Sequence, residues 1–188
     1  MSTAIALGAN LGDPIATLTA VRPRLAAAVR AWAGASRDDP GSSRHPPLRW
    51  SPLFRTAPVG GPPGQPPYVN AVLLTSLPPT ADPMALLLAL QRLEAAFDRR
   101  RQERWGPRSL DLDLLWCGGH RCESAALWLP HPRWQQRAFV LAPLAALMPE
   151  VVPPGAEKSV AELLAAVSGR EDAEPAPERL APRPGWPE

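Results

Sequence analysis

Only two cysteines, Cys117 and Cys122, occur in the 188 residues. That is too few for a disulfide scaffold and fits a reducing compartment. No apolar run approaches the ~18 residues of a membrane span, because Pro143, Pro149 and Glu150 break the longest candidate. The N-terminus lacks the basic segment and apolar core of a secretion signal. A soluble, cytoplasmic protein without a membrane partner is therefore expected. Charge of one sign is missing too: 20 basic side chains stand against 18 acidic ones, a net charge of +2. This excludes a strongly basic nucleic-acid tail and an acidic solubilising protein. The basic excess lies within residues 1–153, whereas 154–188 is net acidic. There is no repeat of 20 to 50 residues, no Gly-x-x-x-x-Gly-Lys-Ser/Thr loop, and Gly8-x-x-x-Gly12 lacks the dinucleotide fingerprint. Any phosphate must be held by side chains.

What the chain does have is proline, 26 residues beside 13 glycines. Together they stay below the ~25–30% at which composition argues for disorder. Fixed turns in one folded domain are expected, spanning 1–153, with 34–47 as an extended surface loop and 154–188 as a short helix and a Pro/Glu-rich tail. Residues 3–7 read as a buried strand that turns through Gly8–Gly12 into a helix opened by Asp13-Pro14, with Pro23 expected to kink or divide it. A strand over 48–56 is interrupted by Pro52, and the Pro-rich loop 57–67 is semi-rigid because each proline fixes its own φ. Tyr68–Ser76 reads as a buried strand. Asp82-Pro83 opens a helix to about Phe97, with Leu87, Leu90, Leu93 and Phe97 as its apolar stripe and Gln91 and Glu94 sharing a face. Leu110–Trp116 is a further strand, and 117–120 a hairpin turn into a short returning strand. A short helix or extended piece is expected over 138–147, a last short helix over 160–167, and fraying over 171–188. This order predicts an α+β fold, a ferredoxin-like βαββαβ core with an antiparallel sheet, helices packed on it and an added hairpin.

The densest chemical signal runs from Arg99 to Leu114. Arg99, Arg100, Arg101, Arg104 and Arg108 precede two carboxylates, Asp111 and Asp113, on a strand. Strand residues two apart point the same way, so the leucines at 110, 112 and 114 enter the core while both aspartates project together. Magnesium needs only one or two such carboxylates, taking water and substrate phosphate for the rest. Arginine's planar fork completes a phosphate clamp. The combination points to metal-assisted phosphoryl or nucleotidyl transfer.

Each part alone has a plainer meaning: Asp-x-Asp is ordinarily a solvated strand face and an arginine cluster a surface loop. A lone histidine such as His131, between two prolines, is more often structural than catalytic. Cys117, His120 and Cys122 lack a fourth zinc ligand and read better as small hydrophobes and a turn residue. Tyr68 and Phe139 are core aromatics at face value, although Tyr68 and Asn70 share a strand face that suits a planar heterocycle. A ferredoxin-like sheet with arginines could also hold single-stranded RNA. The aromatic strand motif for that is absent, and paired aspartates would repel a phosphate backbone.

The run Arg104-Trp105-Gly106-Pro107-Arg108-Ser109-Leu110-Asp111-Leu112-Asp113 resembles the signature of the 6-hydroxymethyl-7,8-dihydropterin pyrophosphokinase family, folate-pathway enzymes that move pyrophosphate from ATP to a pterin alcohol. Further segments resemble family motifs in family order: Ala6–Asp13, Phe54–Gly60, Gln65–Asn70, Gln91–Glu94, Pro130–Arg133 and Arg137–Leu141. The resemblance runs from about Thr3 to Val152.

The resemblance implies a ferredoxin-like fold, ATP as co-substrate, and Asp111 and Asp113 as ligands of two Mg²⁺ ions. It implies catalytic roles for Arg99, Arg108, Asp111 and Asp113. ATP contacts fall on Gln91, Arg101, Trp105, Arg108, Leu114, His131 and Arg137. For the pterin, Tyr68 and Phe139 match the sandwiching rings, Asn70 with Thr56, Ala57 and Val59 the hydrogen-bonding edge, and Trp105 and Asp111 further contacts. A monomer acting on small molecules, with loops 56–66 and 98–108 closing over them, is expected. The chain departs from the family at Asp98, where glycine is common, in the length of 34–47, and in the tail after 153.

Overall fold

Alternating apolar residues along four segments build one antiparallel sheet in the computed structural model, which describes residues 2–35, 47–60, 62–76, 82–97, 109–170 and 173–187. Strand β1 (Ser2–Ala9) leads into helix α1 (Pro14–Ala35), followed by β2 (Leu48–Trp50), β3 (Phe54–Thr56) and β4 (Tyr68–Ser76). Helix α2 (Pro83–Ala96) and β5 (Asp111–Cys117) complete the βαββαβ series. A hairpin of β6 (Cys122–Glu123) and β7 (Trp128–Leu129), helices α3 (Ala138–Ala145) and α4 (Val160–Ser168), and β8 (Glu178–Arg179) follow. The sheet runs β5-β1-β4-β3-β8, with β2 also paired to β4, and its pairs are antiparallel. The α+β, ferredoxin-like expectation holds.

Two cores sandwich the sheet. Ile5, Leu7, Leu73, Leu112 and Leu114 meet Leu18, Leu25, Leu86 and Leu90 of α1 and α2 on one face. On the other, Ala4, Val72, Leu74, Leu115 and Trp116 meet Trp134, Leu141, Leu144 and Val160. Asp13 caps α1 by accepting from the N–H groups of Ile15 and Ala16 at 3.1 and 3.0 Å, and Asp82 caps α2 by accepting from Met84 at 2.8 Å. No helix among the described residues is long and apolar enough to cross a membrane.

Several expectations are corrected. β1 runs on through Gly8 and Ala9, where the sequence predicts a turn. Pro23 does not divide α1. It removes one hydrogen bond, at a cost of about 3 kcal/mol, but Leu18, Val21, Leu25 and Val29 are all fully buried on both sides of it. Each contributes roughly 1.5–3 kcal/mol, and burial wins. On α2 the deeply buried positions are Leu86, Leu90 and Glu94, while Gln91 is exposed. Gln91 and Glu94, three apart, differ in burial all the same: Glu94 Oε1 turns inward to accept from the backbone N–H of Leu112 at 2.7 Å, on the sheet's edge strand. The returning strand after the 117–120 turn pairs with β7, not with β5.

The expected break at Pro52 is present, and Ser51 accounts for it. Its N–H donates to Val72 O at 2.9 Å, and its Oγ accepts from Val72 N–H at 2.9 Å, so the ladder crosses the site where proline has no N–H to offer. The expected fraying at the C-terminus is overturned. β8 pairs with β3, Leu180 N–H donates to Leu53 O at 2.8 Å, and Trp186 packs edge-on against Trp50 at 5.5 Å while donating from Nε1 to Ser51 O at 2.8 Å. The 34–47 loop lies almost wholly outside the described residues.

Candidate active site

The sheet face beside α3 is left bare at the end where β1 finishes. Register places Gly8 between Asn70 of β4 and Asp111 of β5, and Ala6 between Val72 and Asp113. Asn70, Gly8 and Asp111 thus form one row across three strands. Gly8 is required there: a Cβ on it would lie 2.8 Å from Asn70 Oδ1, closer than real Cβ contacts come. Asn70 is buried and its Nδ2 donates to Thr56 Oγ1 at 2.7 Å, which ties β4 to β3 at the floor of the site.

One wall is the Pro-rich loop after Thr56. Gln65 pins it internally, its Nε2 donating to Gly60 O at 3.1 Å and Pro62 O at 3.2 Å, and Asn10 Nδ2 donates to Pro66 O at 3.1 Å. Gly60 and Gly64 take φ of 73° and 78°, the left-handed turns that let so short a loop double back. Tyr68 stands at the loop's foot on the same face as Asn70.

The opposite wall descends from β7. The N–H of His131 donates to Leu115 O at 2.7 Å, fixing this segment to β5. Trp134, buried, tilts against Trp116 at 5.3 Å. Arg137 immediately precedes α3, its guanidinium 5.9 Å from the centroid of the Phe139 ring. Burial pushes the His131 imidazole below its usual value, Arg133 and Arg137 add to this, and Asp111 opposes it. The His131 Nδ1 accepts from the Arg133 N–H at 3.3 Å.

These walls enclose a cavity of about 270 Å³. Of the residues expected from sequence, it gathers Thr56, Ala57, Val59, Tyr68, Asn70, Asp111, Asp113, His131, Arg137 and Phe139. Arg99, Arg101, Trp105 and Arg108 lie outside the described residues. Gln91 and Leu114 do not line the cavity. Gln91 stands exposed on α2, and the Leu114 side chain is buried in the core on the helix-covered face, one position out of phase with the aspartates. Gly8, Arg133 and Trp134 line the cavity and were not anticipated. A glycine inside a strand signals close backbone approach and could have revealed the first.

Asp111 is half-buried and Asp113 exposed on the edge strand. Their oxygens suit a hard cation. Among the described residues no group of three His, Cys, Asp or Glu side chains could hold a metal ion. Two carboxylates are as many as Mg²⁺ ordinarily takes from a protein, its remaining ligands being water and substrate phosphate.

Residues 4–149 match the family model of 7,8-dihydro-6-hydroxymethylpterin-pyrophosphokinase (HPPK). The 2-amino-4-hydroxy-6-hydroxymethyldihydropteridine pyrophosphokinase of Pseudomonas aeruginosa is 40% identical over 166 residues, 86% of this chain and 89% of that protein. The protein of the same name from Haemophilus influenzae is 34% identical over 153 residues, 81% of this chain and 85% of its own length. That of Synechocystis is 41% identical over 116 residues, 62% of this chain, and this stretch is 57% of the Synechocystis protein. Crystal structures of Plasmodium falciparum HPPK-DHPS share the fold, with a TM-score of 0.54 at 12% identity over 89% of this chain and 44% of that longer one. Sequence, fold and the floor of the cavity converge, and the chain belongs to the 7,8-dihydro-6-hydroxymethylpterin-pyrophosphokinase family.

Proposed function

We propose that the chain transfers the pyrophosphoryl group of ATP to the hydroxymethyl group of 6-hydroxymethyl-7,8-dihydropterin and releases AMP. The observation that carries this reading is the row Asn70–Gly8–Asp111, which sets an amide suited to a pterin edge two strands away from carboxylates suited to phosphate-bound magnesium. The pterin lies on the glycine floor, its rings between Tyr68 and Phe139 and its polar edge read by Asn70 and the chain at Thr56, Ala57 and Val59. Its hydroxymethyl group then faces Asp111.

Asp111 and Asp113 hold Mg²⁺, two ions on this reading, whose chemistry is to neutralise the ATP phosphates. His131 and Arg137 contact the nucleotide from the α3 side, and Arg99, Arg101, Trp105 and Arg108 serve it from the arginine-rich segment. In the reaction the hydroxyl oxygen bonds to the β-phosphorus, the bond from that phosphorus to the bridging oxygen of AMP breaks, AMP leaves with the electron pair, and the hydroxyl proton passes to solvent. Positioning and charge supply the acceleration. The loop at 56–66 closes over the bound substrates and sheds water. The protein acts as a cytoplasmic monomer.

An AMP-release assay with ATP and Mg²⁺, run with and without the pterin, tests this. AMP formation that depends on pterin is expected. ATP turnover indifferent to the pterin, or none at all with both substrates saturating, overturns it and leaves a catalytically disabled relative, with Asp98 the first position to examine.

A further inference from the structure

The C-terminal segment after residue 173 lies beyond the family match at 4–149, yet it reaches the site. Its anchor is firm: β8 extends β3, Glu178 pairs with Arg55 at 3.1 Å, and Leu180 and Trp186 enter the core. Just ahead of this anchor, Glu174 lies 3.9 Å from Arg137, with side-chain exposures of 24% and 26%. Arg137 is the same guanidinium that lines the cavity beside Phe139. Burial pushes the Glu174 carboxyl up and Arg137 draws it back down, so the two side chains feel one another in a poorly solvated setting.

We propose that Glu174 is a positioning residue for Arg137, an internal anion that holds the guanidinium at the cavity wall until a nucleotide phosphate replaces it. The inference rests on the nucleotide role given to Arg137 above. A carboxylate tethered four residues from an anchored strand meets its partner at high effective concentration, as any short linker ensures. Phosphate oxygens pair with a guanidinium fork in the same bidentate way as a carboxylate, so a nucleotide must compete with Glu174 for Arg137. Glu174 thereby weakens ATP binding while keeping Arg137 aimed.

The test is steady-state kinetics and direct ATP binding by calorimetry on the full-length wild type, Glu174→Gln and Glu174→Asp. Glu174→Gln should lower the KM and Kd for ATP about three- to fivefold, the range of measured part-exposed ion pairs. The KM for the pterin and the thermal midpoint should be unchanged, and Glu174→Asp, which keeps the charge, should stay near wild type. A general loss of structure cannot tighten one substrate alone. An unchanged or raised ATP Kd in Glu174→Gln overturns the proposal, as does a loss of both substrates with a lowered midpoint. If the wild type binds ATP yet releases no pterin-dependent AMP, the pyrophosphokinase reading fails while the Kd comparison still decides the role of Glu174.

Discussion

Replacing Gly8 by alanine adds one methyl group to the centre of the floor. That carbon would sit 2.8 Å from Asn70 Oδ1, so the amide must withdraw by about half an ångström to reach ordinary contact. Asn70 is 5% exposed and its other arm is committed to Thr56 at 2.7 Å, so it cannot move without bending or losing that bond. A buried hydrogen bond contributes about 1 kcal/mol net, and leaving its partners unsatisfied costs ~1–3 kcal/mol. Alanine returns roughly 0.5–1 kcal/mol over glycine through backbone entropy. The balance is a destabilisation of about 1–2 kcal/mol, a fall in the thermal midpoint of roughly 2–8 °C for a chain of this size. Pterin affinity should fall about tenfold, since a displaced amide no longer matches the ligand's edge. Calorimetric melting and pterin titration read both effects. The decisive comparison repeats the substitution on an Asn70→Ala background, where no amide stands in the way. There Gly8→Ala should be neutral or stabilising, leaving a coupling of about 1 kcal/mol or more. Equal costs in the two backgrounds would refute the close-approach argument.

Further outcomes follow from the same geometry. Asp113→Ala should abolish turnover through lost metal binding while leaving the melting temperature near wild type, because the side chain is exposed; near-normal activity at saturating Mg²⁺ contradicts its role. Burial raises the Cys117 thiol above its usual value and Cys117 is 2% exposed, whereas Cys122 is half-exposed. A disulfide reagent should therefore titrate one thiol quickly in the native protein and two in denaturant. His131 carries a proton less readily folded than unfolded, chiefly because it is buried. The unfolded chain gains that proton as pH falls below about 6.5, so His131 should erode stability from there down to its lowered folded value and have no effect above. Urea midpoints for wild type and His131→Gln across pH 5–8 check this, the variant showing the shallower slope on the acid side.

The sequence was most legible where causes are local. Asp13-Pro14 and Asp82-Pro83 announce helix starts through side chains that bond within three residues, and both helices begin there. The aspartate pair was legible because strand periodicity needs no partner. What failed depended on contacts far along the chain. Glu94 looks like a solvent-facing residue until Leu112 brings an unpaired edge N–H to it. Pro23 looks like a helix breaker until four buried neighbours outweigh it. Trp186 sits in a stretch whose composition argues for disorder, and only Trp50 and Ser51, some 135 residues upstream, give it a place. The cavity wall at Arg133 and Trp134 depends likewise on distant contacts, His131 N–H with Leu115 O and Trp134 with Trp116, that no local pattern announces.

The bare row along β1 has a consequence for resistance to inhibitors. Side chains that line a pocket are the usual route by which a target escapes a drug, because a substitution can narrow the pocket while the substrate still fits. Ala6 and Gly8 offer little such latitude on this face of the strand. A larger residue at position 8 collides with Asn70, and one at position 6 rises into the cavity. A flat inhibitor resting on this strand would meet main chain, which point mutation does not rewrite, and escape would have to come from the walls.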